Sequence, residues 1–284
     1  MAIEFPPGAL AVVAVPLGNP EDITLRALRF LAEADVVAAE DTRTAARLLA
    51  HHGIRARTIS YHDWNETERA ERLLEILARG ERVALVAEAG TPGISDPGFD
   101  LVRGARERGF PVIPVPGPSA VAAFLSASGL PTHAFSFFGF PPKPLGRRRA
   151  LFESLRDRTE TLVFYESPHR IVATLRVALE ALGDRECAVA REMTKLHEEF
   201  LWGPLSQVLK ELASRSRVRG EVCWGVRGRS RREPAGREDV DAALARLRGA
   251  GLRPRDAAKE LARCTGISTR EAYALLTREG PGRS

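Results

Sequence analysis

The stretch Val83-Ala84-Leu85-Val86-Ala87-Glu88-Ala89-Gly90-Thr91-Pro92-Gly93-Ile94-Ser95-Asp96-Pro97-Gly98 organises the chain. Its first four residues are an unbroken apolar run, two of them β-branched, as in a strand buried on both faces of a parallel sheet. Phe99, Leu101, Val102 and Ala105 mark an apolar helical face that Gly109 ends, with Asp96 as the expected N-cap and Pro97 at the first helical position. Glycines at 90, 93 and 98 let backbone N–H groups in the intervening loop approach a ligand. Open α/β sheets bind ligands beyond the C-terminal ends of their strands. The same pattern also fits an ordinary strand-to-helix connection, so the rest of the chain has to decide.

Upstream and downstream the pattern repeats. Strands are expected at Leu10 to Val15, Asp35 to Ala39, Thr58 to Tyr61, Val83 to Val86 and Val112 to Val115, with helices between them and a last helix from Pro118 to about Ser128. This is a mostly parallel α/β domain over 1–130. Residues 131–230 form a second α/β domain with a mixed sheet: strands at Phe135 to Phe140, Thr161 to Tyr165, Cys187 to Arg191 and Glu221 to Arg227, and helices ending at Gly183 and covering Leu205 to Ala213. Arg229 to Gly236 is an arginine-rich linker. Apolar stripes at Val240, Ala243, Leu244 and Leu247, at Ala257, Ala258 and Leu261, and at Ala272, Leu275 and Leu276 give three short helices over 237–284, fitting a helix-turn-helix or a plain helical cap.

A chain of 284 residues is longer than single cores usually grow, which also implies more than one domain. No apolar run reaches membrane-spanning length and the N-terminus has no signal-peptide pattern, so a soluble cytoplasmic protein is expected. Cys187, Cys223 and Cys264 and the six histidines show no metal-ligand spacing, and no metal is expected. Net charge is +5, unevenly spread: eight arginines fall between Ser214 and Arg237, and Arg147-Arg148-Arg149 forms a second cluster. Such patches suit nucleic acid or another polyanion. Three adjacent cations at a helix start oppose the helix dipole, a conflict an external phosphate relieves.

Polar residues gather directly after strands: Glu40, Asp41 and Arg43; His62, Asp63 and Asn65; Glu166, His169 and Arg170; Glu192 and Lys195. Asp41 and Asn65 equally suit helix caps, and Arg43 a local ion pair. Trp64, Trp202 and Trp224 suit packing better than base stacking.

Six motifs in order carry a resemblance: Val15-Pro16-Leu17-Gly18-Asn19-Pro20-Glu21-Asp22-Ile23-Thr24, Glu40-Asp41-Thr42-Arg43, Ala89-Gly90-Thr91-Pro92-Gly93-Ile94-Ser95-Asp96-Pro97-Gly98, Pro116-Gly117-Pro118-Ser119-Ala120, Glu166-Ser167-Pro168-His169-Arg170 and Arg191-Glu192-Met193-Thr194-Lys195. Together they resemble the small-subunit ribosomal RNA methyltransferase I branch of the tetrapyrrole methylase superfamily, over roughly residues 10 to 230. The resemblance implies two α/β domains, a homodimer, and S-adenosyl-L-methionine-dependent methylation of a ribose 2′-hydroxyl on a decoding-centre cytidine of 16S rRNA, free or in the small ribosomal subunit. It implies cofactor contacts at Pro16, Leu17, Gly18, Asn19, Ala89, Gly90, Thr91, Pro92, Ile94, Ser119, Ala120, Glu166 and Met193. Candidates for the chemistry are Glu40, Asp41, Arg43, Glu166, His169, Arg170 and Lys195, and for RNA contact Lys143, Arg147, Arg148 and Arg149. One position departs: relatives usually carry Asp where this chain has Glu88.

Methyl transfer from a sulfonium needs in-line positioning and a route for the hydroxyl proton, not a metal. Two other readings fit less of the chain. A tetrapyrrole methyltransferase, acting on a precorrin or uroporphyrinogen, would share the cofactor loops, and its polycarboxylate substrate would also attract arginine. A DNA-binding regulator would use the tail and need no intact glycine loop.

Overall fold

The computed structural model describes residues 4–61, 66–230, 237–249 and 252–277. His62, Asp63, Trp64 and Asn65 lie outside that set, as do residues 231–236 of the expected linker.

The organising strand is central. Strands β1 (Leu10–Val13), β2 (Val36–Ala39), β3 (Arg57–Ser60), β4 (Val83–Val86) and β5 (Val112–Val115) form a parallel sheet in the order β3-β2-β4-β1-β5. All four β4 side chains are buried, and they alternate between two cores. Ala84 and Val86 pack with Ala27, Phe30 and Leu31 of α1 (Leu25–Glu33), whereas Val83 and Leu85 pack with Leu73 and Leu77 of α3 (Glu66–Ala78) and Leu101 of α4 (Phe99–Glu107). The two-residue period of a strand thus explains why this run has no polar position, since both faces are covered by helices. From β1 the chain crosses one way, through α1 to β2, and from β4 it crosses the other way, through α4 to β5. The carboxyl ends of β1 and β4 therefore form the switch point, where loops part and leave a crevice.

A second sheet follows in the order β6-β7-β10-β8-β9, built from β6 (Phe135–Phe137), β7 (Thr161–Glu166), β8 (Glu186–Arg191), β9 (Glu199–Pro204) and β10 (Val222–Val226). Only β6 and β7 pair in parallel, so the sheet is mixed. One face carries α6 (Leu145–Ser154), α7 (Ile171–Leu182) and α8 (Leu205–Ala213) around Trp224 and Phe164. The other face receives α5 (Ala120–Ala127): Val121, Phe124 and Leu125 pack on Val163, Ala188, Ala190 and Cys223. The helix leaving the first sheet thus caps the second, and both sheets belong to one compact unit.

Two expectations need correction. Asp96 and Pro97 do not start a helix, because α4 begins at Phe99 with Gly98 at its N-cap; the loop folds back on itself for two further residues. Strand β9 has no counterpart among the expected elements. It is an edge strand with Trp202 57% exposed, and its mixed polar and apolar sequence, Glu-Phe-Leu-Trp-Gly-Pro, lacks clean alternation.

The tail forms its own unit with Arg156–Glu160. Its helices α9 (Arg237–Arg248), α10 (Pro254–Thr265) and α11 (Thr269–Thr277) close around Val240, Leu247, Ala258, Leu261, Ile267 and Ala272. Gly266, left-handed at φ 74°, ends α10 and turns the chain into α11.

Candidate active site

A cavity of about 380 Å³ lies where the strand ends of the two sheets face each other. The first sheet contributes Leu17 after β1, Glu88 to Thr91 and Ile94 to Asp96 after β4, and Ser119 and Ala120 after β5. The second contributes Phe140, Tyr165 to Pro168 at the end of β7, Met193 after β8, and Gly220 to Cys223 entering β10.

Gly90 explains the shape of the β4 loop. Its N–H donates to the Val15 carbonyl (3.0 Å) and its own carbonyl accepts from the Val15 N–H (2.9 Å), tying the β1 and β4 exits together across the switch point. It holds φ at 79°, and a Cβ there would stand 3.2 Å from Leu17 Cδ2. Both conditions select glycine. Next to it Thr91 Oγ1 donates to the Pro118 carbonyl (3.0 Å), drawing the β5 exit to the same point. Three non-glycine residues have positive φ among those described, Ser95 (66°), Glu192 (53°) and Thr194 (66°). Ser95 lines the cavity and the other two flank Met193, which also lines it. Such local strain concentrates at ligand clamps.

The expected cofactor residues divide. Leu17, Ala89, Gly90, Thr91, Ile94, Ser119, Ala120, Glu166 and Met193 line the cavity; Pro16, Gly18, Asn19 and Pro92 do not. Gly18 instead touches the Lys195 stem, with the position of a Cβ only 2.5 Å from Lys195 Cγ. Asn19 accepts from the Glu21 N–H (3.1 Å), capping a 3₁₀ turn at Pro20–Asp22. Motif reading missed Ser95, Asp96, Phe140, Tyr165, Ser167 and the segment Gly220 to Cys223. The last enters through sheet register, Val222 standing opposite both Glu166 and Arg191, and no local signal in the sequence reports that pairing.

The residues proposed for chemistry are largely engaged in structure. Glu166 has a fully buried side chain. Its Oε1 accepts from the Ser167 N–H (2.9 Å) and its Oε2 from Thr174 Oγ1 (2.5 Å), with Arg170 Nη2 at 3.3 Å. Arg170 also donates to the carbonyls of Pro141 (2.7 Å) and Pro142 (3.3 Å). Asp41 caps α2 (Thr42–His51) through the Arg43 N–H (2.8 Å). The Arg43 guanidinium, bonded to the same carboxylate, holds the Asp41 carboxyl down at about 2. Neither residue lines the cavity, and nor does Glu40. Lys195 Nζ sits between Glu192 (3.1 Å) and Glu221 (3.2 Å); burial works against its charge, yet these carboxylates raise its pKa. Glu192 is lowered, mainly by the Glu221 N–H it accepts. His169 is exposed, lies outside the cavity and has a ring nitrogen 3.5 Å from Ser167 Oγ. Burial pushes the Tyr165 phenol and the Cys223 thiol upward, so both stay neutral.

Arg148 departs from its expected role. Only 7% exposed, it donates from Nη1 to Thr174 Oγ1 (3.0 Å), and its Nε finds no partner. It therefore belongs to the core beneath Glu166 and leaves Lys143, Arg147 and Arg149 as the outward cations of that segment. Arg149 pairs with Glu180 (2.7 Å).

The cavity fits S-adenosyl-L-methionine. At the start of α5, where Ser119 and Ala120 line the cavity, the Ser119 side chain makes no cap hydrogen bond, which leaves the first helical N–H groups uncapped by it and suited to a carboxylate. Leu17, Ile94, Met193 and Val222 supply apolar wall, and Glu88, Asp96 and Glu221 supply carboxylates for a cationic, hydroxyl-bearing ligand.

A family model described as Tetrapyrrole (Corrin/Porphyrin) Methylases matches residues 9–209. The Ribosomal RNA small subunit methyltransferase I of Halalkalibacterium halodurans is 41% identical over 277 residues, 96% of this chain and 96% of that protein. Its namesake in Mesorhizobium japonicum is 45% identical over 271 residues, 94% of this chain and 91% of the relative. The Thermotoga maritima relative of the same name is 43% identical over 222 residues, 78% of this chain but 99% of its own. Among solved structures, uroporphyrin-III-C-methyltransferase from Thermus thermophilus aligns with TM-score 0.54 at 22% identity, covering 78% of this chain and 92% of that one. Cobalt precorrin-4 methyltransferase aligns with TM-score 0.57 at 18% identity, covering 77% and 95%; at such identities the likeness concerns fold alone. By its family match and by relatives 41% and 45% identical across nearly its whole length, the chain belongs to the tetrapyrrole methylase family, in its ribosomal RNA small subunit methyltransferase I branch.

Proposed function

We propose that this protein methylates the 2′-hydroxyl of a decoding-centre cytidine ribose in 16S rRNA, with S-adenosyl-L-methionine as donor. The observation that carries the cofactor half is the cavity at the switch point, bordered by the Gly90 loop and the open N-terminus of α5. The substrate half rests on relatives that share sequence over nearly the full chain and are named for ribosomal RNA. A tetrapyrrole substrate is favoured by the description of the family model and by distant fold likeness, but not by the relatives that match nearly the whole chain.

S-adenosyl-L-methionine supplies a methyl group on a sulfonium and departs as a neutral thioether, so no acid is needed for the leaving group. The chain's task is to orient and to take a proton. Glu166 and Arg170 set the β7 exit, and through it Ser167 and Pro168 at the cavity wall. Glu88 is exposed at the cavity and accepts no hydrogen bond among the described residues, so it is free to receive the hydroxyl proton directly or through water. Lys143, Arg147 and Arg149 are proposed to hold RNA from outside the chemistry.

The protein is further proposed to act in the cytoplasm; no described helix is long and apolar enough to cross a membrane. A homodimer is also proposed, as the family resemblance implies. Light scattering would return one protomer's mass if that part were wrong. The decisive experiment is mass spectrometry of rRNA nucleosides from a strain lacking the gene. The 2′-O-methylated cytidine should disappear, and its persistence would refute the substrate.

A further inference from the structure

Beside the cofactor cavity runs a second concavity of about 750 Å³, bounded by Pro168, His169 and Val172 around the start of α7, by Leu212 and Ala213 at the end of α8, and by residues 215–220, which lead toward β10. It shares the lining residues Pro168 and Gly220 with the cofactor cavity, so the two are adjacent. Its lining holds His169, Arg215, Arg217 and Arg219 and no carboxylate. Arg215 is engaged by Glu199 (2.7 Å) and Glu211 (3.1 Å). Arg217 and Arg219 are exposed, and neither guanidinium has an acceptor among the described residues. The backbone at Arg219 and just after it, in contrast, is held. Arg191 Nη1 donates to the Arg219 carbonyl (3.2 Å), and Gly220, at φ 85°, leaves room for the Glu192 carboxylate, which accepts from the Glu221 N–H (2.9 Å).

A turn that carries unpaired cations along a groove beside the methyl-donor cavity has the properties of a phosphate track. No Phe, Tyr or Trp lines it and His169 is its one aromatic ring, so it offers charge more than a stacking platform. We propose that this groove holds the ribose-phosphate backbone flanking the target nucleotide, with Arg217 and Arg219 each neutralising a phosphate and His169 at the entrance. The proposal rests on the RNA reading above and adds to it a path by which the strand reaches the cavity.

The test compares Arg217→Ala/Arg219→Ala with Arg217→Lys/Arg219→Lys, measuring binding to a 16S rRNA fragment across a salt series, methylation kinetics, S-adenosyl-L-methionine affinity and thermal unfolding. In the alanine variant the slope of log affinity against log salt should fall by about 1.4 to 1.8, because two phosphates are no longer neutralised, at about 0.7 to 0.9 each. KM for RNA should rise at least about tenfold, with kcat at saturation, cofactor affinity and melting temperature unchanged. The lysine variant, keeping both charges, should recover most of the slope. An unchanged slope and KM in the alanine variant, with parental methylation intact, would overturn the groove alone. A parent that neither binds nor methylates the RNA would overturn the groove together with the functional reading.

Discussion

Gly90 and Thr174 show how single residues hold this site. At Gly90 a valine meets two obstacles, a φ of 79° and Leu17 Cδ2 at 3.2 Å. Gly90→Val should weaken S-adenosyl-L-methionine at least about tenfold and cost roughly 1–3 kcal/mol of stability; calorimetry and thermal melts check the two effects separately. Thr174 is fully buried and joins Arg148 to Glu166, accepting from one and donating to the other. A valine matches its shape but leaves both charged partners short of a bond. Thr174→Val should destabilise by about 3 kcal/mol, whereas Thr174→Ser should retain most of the parent's stability in urea unfolding. Equal stability of the valine variant and the parent would mean that Arg170 and Ser167 suffice to hold Glu166.

At the scale of elements, the exits of the strands carry the function and the pairings between strands decide which exits meet. Strand β9 shows how an edge is secured. Its Glu199 accepts from Arg215 (2.7 Å) at the end of α8 and from Arg191 (3.1 Å) on β8, and these hold its carboxyl at about 2, Arg215 contributing most. A carboxyl lowered on folding stabilises the protein above its ordinary value and loses that contribution as pH falls toward the folded value. The window here runs from about pH 4.5 down to about 2. The side chain is 29% exposed, so solvent screening reduces the effect to on the order of 1–2 kcal/mol. Denaturant melts at stepped pH should show Glu199→Gln less stable than the parent at pH 7, the gap closing toward pH 2. A gap independent of pH would place the cause in packing rather than charge.

For the whole molecule, the tail is a compact unit with its own core, apart from the unit that contains the cavity. The Thermotoga maritima relative is matched almost completely by 222 residues of this chain, which leaves about a fifth of this chain without a counterpart there. The tail's separate core fits an accessory role. Deletion after Gly236 should leave S-adenosyl-L-methionine affinity unchanged, weaken RNA binding and flatten its salt dependence by about 0.7 to 0.9 in slope for each phosphate the tail neutralises. A truncated protein with weaker cofactor affinity would instead make the tail part of the site.

What the sequence determined by itself is what periodicity and turn chemistry encode locally. The apolar run Val83–Val86 can be buried on both faces only between two layers of helix, which fixes an α/β sheet, and glycine at 90 marks a backbone that had to run close to its neighbours. The motifs likewise located nine of the residues that line the cavity, among them the Gly90 loop and the start of α5. Tertiary structure alone decided three other matters, each because it depends on pairing between distant segments. Antiparallel register brought Gly220 to Cys223 beside Glu166. The packing of α6 on α7 turned Arg148 away from its basic neighbours and into the core, a choice that a run of three identical arginines cannot announce. Finally, Asp41, Asn19 and Lys195 each hold a local partner, because a cap or an ion pair within a few residues forms at lower entropic cost than a contact between distant segments.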